Sequence, residues 1–334
     1  MRILVVTPAA RGSRKGNRVT ALRWAGHLRA LGHRVALAET WRGEPCDLLV
    51  ALHATKSHAS VARIRAERPE TPVVLGVVGT DLYEDLPAGS PEARQSLDLA
   101  TRLVLLQPLG IRALPEAVRP KATAIVQSAC PAPPIPAPPG VLQACVLAHL
   151  RSVKDPFLAA EAVRRLPPRS RVRVVHLGAA LDAGAEARAR REAAENPRWA
   201  WLGDRPRREA RARLAGSALL VVTSRLEGGA NVVSEAIACG VPVLSTRVDG
   251  SVGVLGPDHP GYFPVGDAAA LAALLARAED DAALLAELRC RSERLRPLVE
   301  PAREREAWSA LLAEIRFASE RAGKRLSAPP SARS

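Results

Sequence analysis

The chain lacks most of what would mark a secreted or membrane-embedded protein. Its 334 residues include five cysteines (Cys46, Cys130, Cys145, Cys239 and Cys290), scattered and never spaced C-x-x-C. Neither a disulfide framework nor a structural zinc site fits that pattern. No uncharged apolar run approaches the roughly 18 residues of a membrane span. Met1 leads straight into the apolar run Ile3–Val6, with no signal-peptide pattern. These absences predict a cytoplasmic protein without an integral membrane segment. Aromatics make up only 3% of the chain and do not interleave with basic clusters, as stacking platforms for single-stranded nucleic acid do. Lysine is scarce too, at Lys15, Lys56, Lys121, Lys154 and Lys324, so arginine carries most of the net charge of +14. Stretches such as 186–195 and 205–213 intersperse Arg with Glu and Ala at helical spacing, which reads as solvated helix faces. The expected partners are small molecules, not nucleic acid.

What is present is an alternation of short apolar runs with helical patterns. Strands are predicted at 3–7, 34–38, 48–52, 73–78, 102–106 and 123–126. Helices are predicted between them at 18–31, 58–68 and 90–99, the first with Val19, Leu22, Ala25, Leu28 and Leu31 on one side. The segment 130–140 holds six prolines and predicts a stiff extended linker. The alternation then restarts, with strands at 143–149, 172–177, 199–202, 218–223, 242–246 and 261–264. Helices fall at 156–166, 183–195, 206–215, 231–239 and 267–277. This is an α/β chain with two Rossmann-like parallel-sheet domains, 1–129 and 141–300. Residues 301–323 are expected to form a C-terminal helix packing back on the first domain, and 324–334 a disordered tail.

The sharpest motif runs from Glu227 through Gly228, Gly229, Ala230, Asn231 and Val232 to Glu235 and on to Ala238-Cys239-Gly240-Val241-Pro242. It follows the buried strand Leu219–Val222 and opens a helix near Asn231. Two glycines let backbone approach a ligand, and the free amides of a helix start favour an anion such as a diphosphate. Glu227 and Glu235 suit sugar hydroxyls, which donate to carboxylates in charge-assisted hydrogen bonds. A second cluster, His149-Leu150-Arg151-Ser152-Val153-Lys154, ends that domain's first strand. In the first domain the loop with Gly12, Ser13, Lys15, Asn17 and Arg18 is strongly cationic and lacks the G-x-G-x-x-G fingerprint, so it suits a small anion. Two further strand ends bring His53 with Lys56, and Thr80 with Asp81. No D-x-D motif is present, so no metal is expected.

The two glutamates with seven residues between them, the second of which opens E-A-x-A-C-G-x-P-V, resemble the donor site of GT-B glycosyltransferases of the family 4 type. That resemblance implies two domains facing each other across a cleft. It gives Glu227 a contact to the donor sugar, Glu235 a hold on the ribose, and Lys154 a clamp on the leaving diphosphate. The family's arginine aligns with His149, so either Arg151 substitutes or His149 acts there. The implied catalytic residues are thus Lys154, Arg151, His149 and Glu227. Gly228, Gly229, Ala230, Asn231, Val232 and Glu235 join Arg151, Lys154 and Glu227 in binding the UDP-sugar.

A narrower likeness rests on four stretches: 16–35 (GNRVTALRWAGHLRALGHRV), 52–57 (LHATKS), 79–83 (GTDLY) and 149–156 (HLRSVKDP). Together they are similar to the selenosugar synthases of selenoneine biosynthesis. This implies transfer from a UDP-sugar, UDP-N-acetylglucosamine, to selenophosphate, with UDP and phosphate released and no cofactor. Selenophosphate is already an anionic nucleophile, so its site calls for cations and hydrogen-bond donors rather than a general base. The loop at 12–18 with His53, Lys56, Thr80 and Asp81 is the acceptor site so implied. The alternatives are a hydroxyl acceptor (glycan or lipid), a UDP-sugar epimerase, which would turn over donor alone, and a basic nucleic-acid-binding protein, whose affinity would fall steeply with salt.

Overall fold

The computed structural model describes residues 1–13 and 15–326, with side chains through Phe317. Residues 327–334 of the expected tail, and Arg14 of the cationic loop, lie outside the described residues. Residues 324–326 continue the last helix.

The chain divides into two compact units. Its first part runs β1 (Arg2–Val6), α1 (Gly16–Ala30), β2 (Arg34–Ala38), β3 (Leu48–Leu52), α2 (His58–Glu67), β4 (Val73–Val77), α3 (Pro91–Leu99), β5 (Arg102–Leu105), α4 (Leu109–Ala113) and β6 (Ala122–Ala124). Next come β7 (Leu142–Leu147), α5 (Leu158–Arg164), β8 (Val172–Leu177), α6 (Ala185–Glu195), β9 (Trp199–Trp201), α7 (Arg207–Ala215) and β10 (Leu219–Val222). The last part comprises α8 (Asn231–Ala238), β11 (Val243–Thr246), α9 (Asp249–Leu255), β12 (Tyr262–Phe263), α10 (Ala268–Asp280), α11 (Ala282–Leu295) and α12 (Pro301–Leu326).

Unit one comprises residues 1–104, 115–125 and the chain from Ala302 on. Its sheet has the order β2-β1-β3-β4-β5-β6, with β1 parallel to both β2 and β3, and β3 parallel to β4. The buried face of α1 is only partly the one the periodicity predicts: Ala25 and Leu28 lie on it as expected, but it is rotated away from Leu22. Ala21, Trp24, Ala25 and Leu28 are buried, whereas Leu22 is half exposed. The reason is tertiary. The Trp24 ring lies against β4, where a side chain on Gly76 would come within 2.7 Å of it. On its other side Trp24 meets Trp308 of α12 edge-to-face, with ring centroids 5.0 Å apart. Beside this pair the buried Glu304 carboxylate takes Arg23 at 3.2 Å and His27 Nε2 at 3.1 Å.

Unit two comprises residues 105–114 and 126–301. Its sheet has the order β12-β11-β10-β7-β8-β9, every pair parallel. Both faces are covered, so successive strand residues enter opposite cores. Ala144 and Val146 of β7 join α5 and α10, while Cys145 between them joins α7 and α8. Two features depart from the sequence reading. Residues 105–114, expected in the first domain, belong here because α4 packs on α9. The proline-rich segment is no free linker, since Ile135 donates its N–H to the Ala212 carbonyl at 2.8 Å along α7. Its backbone lies so close that a side chain on Gly216 would collide with the Ile135 carbonyl.

Candidate functional site

In open parallel sheets, ligands bind beyond the C-terminal strand ends where the strand order reverses. In unit two that point lies between β7 and β10, the strands that carry the sharpest sequence motifs. The turn after β7 holds Lys154 and the loop after β10 holds Glu227. Lys154 Nζ lies 2.6 Å from Glu227 Oε1, and Ser224 Oγ donates to the same oxygen at 2.6 Å. The backbone ties the two loops together. Arg225 donates its N–H to the Val153 carbonyl at 2.9 Å, and Thr223 Oγ1 donates to the Lys154 carbonyl at 2.8 Å. Asp155 turns the chain in a left-handed conformation, φ 42°, and its carboxylate lies 2.9 Å from Arg225. Lys154 and Glu227 both remain partly open to solvent.

Gly228, Gly229 and Ala230 carry the loop into α8, which begins at Asn231 and Val232. The glycine at 229 answers a packing need, because a side chain there would run into Leu106. Gly250 of α9 is pressed against the same loop: a Cβ would lie 2.2 Å from the Glu227 carbonyl. The sequence reading missed α9. Its run, DGSVGVL, contains two glycines and two β-branched residues, so contact rather than propensity holds the helix.

Glu235 sits one turn into α8 and is buried. It does not share Glu227's cation. Arg207 Nη2 lies 2.8 Å from its Oε1, and Arg211 Nε lies 3.6 Å from that oxygen. Both arginines belong to the stretch expected to be a solvated face. Four-residue spacing put them together on α7, but no periodicity could show which neighbour they meet. The remaining residues of the second cluster part ways with Lys154. His149 Nδ1 accepts the Ala179 N–H at 3.0 Å, which ties it to the loop after β8, while Arg151 is exposed. Deeper in the sheet His176 is wholly buried and donates from Nε2 to the Ala148 carbonyl. Burial pushes its pKa down to about 4.

The order of unit one's sheet reverses between β1 and β3, and the cationic loop and His53 stand at these strand ends. The loop is open: Gly12, Lys15 and Gly16 are exposed, while Ser13, Asn17 and Arg18 are partly so. Ser13 Oγ accepts the Lys15 N–H at 3.2 Å, and α1 begins directly after. His53 is buried with a positive φ of 77°, strained for a residue with a Cβ. Its Nε2 lies 3.0 Å from Thr80 Oγ1, and its Nδ1 faces the Lys56 N–H at 3.4 Å. With Nδ1 accepting, the ring is neutral and donates to Thr80. Burial lowers its pKa, Asp81 opposes that shift, and Lys56 adds to it.

Asp81, expected at the acceptor, is fully buried. Its oxygens accept from the N–H groups of Ala54, Val78 and Gly79 at 2.7 to 3.2 Å. It fixes the ends of β3 and β4 and offers no face to a ligand. Lys56 is exposed, and Thr80 is partly exposed. Among the described residues no three His, Cys, Asp or Glu side chains gather as a metal site would need, and no helix is long and apolar enough to cross a membrane.

Residues 134–294 match the family model of glycosyl transferases group 1. No curated protein matches the chain by sequence. Solved structures match it by fold. HepE of Anabaena in complex with UDP superposes with a TM-score of 0.71 at 15% identity, over 94% of this chain and 100% of that one. Sucrose-phosphate synthase from Thermosynechococcus elongatus gives 0.77 at 16%, over 95% and 99%. An E. coli trehalose-6-phosphate protein bound with UDP-2-fluoro glucose gives 0.69 at 13%, over 93% and 99%. Residues 134–294 thus resemble the glycosyl transferases group 1, and the chain has the GT-B fold of two parallel-sheet α/β domains.

Proposed function

We propose that this protein transfers a glycosyl group from a UDP-sugar, UDP-N-acetylglucosamine, to selenophosphate. One observation carries the donor half: the Lys154–Glu227 pair bridging the loops after β7 and β10, at the point of unit two where strand order reverses. A diphosphate leaving an anomeric carbon develops charge that a poised ammonium stabilises. Lys154 is that cation, and Glu227 holds it in place until a sugar hydroxyl competes for the carboxylate. Glu235, one turn into α8, takes the ribose. Structures of this fold with UDP or a UDP-sugar bound support the choice of donor.

The acceptor half rests on the sequence likeness at 16–35, 52–57 and 79–83 and on the chemistry of unit one. The loop with Gly12, Ser13, Lys15, Asn17 and Arg18, together with Lys56 and Thr80, offers cations and hydrogen-bond donors. That suits an acceptor that is already anionic. In the reaction selenium attacks the anomeric carbon as the bond to the UDP oxygen breaks. Water then cleaves the selenium–phosphorus bond, which yields a selenosugar and phosphate. The test is UDP release from UDP-N-acetylglucosamine with and without selenophosphate, followed by mass analysis of the sugar product. Selenophosphate-dependent release with a selenium-bearing sugar is the expected result. Release only with hydroxyl acceptors would overturn the selenophosphate half, and no release with any acceptor would overturn the donor half.

A further inference from the structure

We infer that Arg207 and Arg211 are positioning residues for the nucleotide ribose: they occupy one oxygen of Glu235 and leave the other as the acceptor for ribose hydroxyls. The inference rests on the UDP-sugar reading above. Both guanidinium groups converge on Oε1, at 2.8 Å from Arg207 and 3.6 Å from Arg211. No described side chain bonds Oε2. A carboxylate oxygen has two lone-pair sites, so Oε2 alone can accept two O–H donors, the number a ribose 2′,3′-diol presents.

The arrangement is selective within α7. Arg207 and Arg211 are four residues apart and share a face, whereas Arg213 lies 3.2 Å from Glu209 instead, as does Arg205, just before the helix, at 4.0 Å. Arg211 is fixed twice, because its Nη2 also donates to the Cys130 carbonyl. A buried carboxylate needs compensating charge. Arg207 and Arg211 supply it from the side away from Oε2. They thereby set the rotamer of Glu235 without needing to touch the ligand.

The experiment compares the affinity of the full chain for UDP and for 2′,3′-dideoxy-UDP, by calorimetry. Arg207 is half exposed, so Arg207→Met is the variant least able to disturb folding; Arg211→Met and Glu235→Gln accompany it, with melting temperatures recorded. Arg207→Met is expected to lower UDP affinity about tenfold and to leave dideoxy-UDP affinity unchanged. Arg207→Lys should recover part of the loss, and Arg207→Met should cost nothing further in the Glu235→Gln background. Equal losses for both nucleotides would mean that the arginines bind the diphosphate, which overturns the inference. Additive losses with Glu235→Gln, or unchanged UDP affinity, would overturn it as well. A wild-type protein that binds no UDP overturns the UDP-sugar reading itself.

Discussion

The two sheets end in different chemistry at corresponding places. Beyond β7 and β10 of unit two, carboxylates face side-chain cations: Glu227 with Lys154, and Glu235 with Arg207 and Arg211. Beyond β3 and β4 of unit one, the buried Asp81 faces backbone N–H groups, and the neighbouring His53 is neutral. A side-chain ion pair with one solvent-facing side can be exchanged for ligand contacts, whereas a carboxylate holding three amides cannot be released without opening the fold. The first arrangement is open to exchange and the second serves rigidity, although both sit at the C-terminal strand ends, where a parallel sheet receives ligands.

That contrast breaks most sharply at Asp81. Asp81→Ala leaves one buried N–H (Ala54) and two partly buried ones (Val78, Gly79) without their partner, so urea denaturation should show a loss of roughly 3 kcal/mol. A loss under about 1 kcal/mol would put Asp81 in the same class as Glu227. Next in size is the acid response of unit two. His176 is neutral in the fold with a pKa near 4, against 6.5 when unfolded. Its contribution is therefore complete above pH 6.5 and lost as pH falls towards 4, at most about 3 kcal/mol. His176→Gln should flatten that part of the stability profile, and an unchanged slope would assign the acid response to other groups. Lys154→Met should lower turnover of the UDP-sugar about hundredfold, with the melting temperature nearly unchanged; a large drop in melting temperature would make the Lys154–Glu227 pair structural, like Asp81. The smallest effect is expected for Glu235→Gln, about tenfold in UDP affinity by titration calorimetry. Affinity equal to wild type would remove Glu235 from the binding class.

How much of this was legible in the sequence depended on whether local pattern or a distant neighbour decides. The strands 34–38, 48–52 and 172–177 are found at their predicted bounds, because an apolar run between turn signals is sufficient to define a strand. That Lys154 and Glu227 stand in the segments after β7 and β10, with Glu235 one turn into α8, was legible through their spacing after strands. The face of α1 was not, since Trp24 and Leu22 both suit an apolar stripe and only Gly76 and Trp308 decide between them. Arg207 and Arg211 read as solvated for the same reason, their partner Glu235 lying on another helix. Asp81 stood out in the sequence, yet no pattern could show that its oxygens would be taken up by main-chain amides.

The contact between α1 and α12 has a consequence for how the protein is made. His27 meets Glu304 across 277 residues of chain, and unit two is synthesised within that interval. When residues 126–301 leave the ribosome, unit two has all of its strands, while Trp24 of unit one is still waiting for Trp308 to be made. The second unit is thus free to fold first, and the first must hold its unfinished apolar flank in solution until α12 has been made. A chain stopped at residue 300 would leave that flank exposed, prone to aggregate or to be held by chaperones, with unit two already formed.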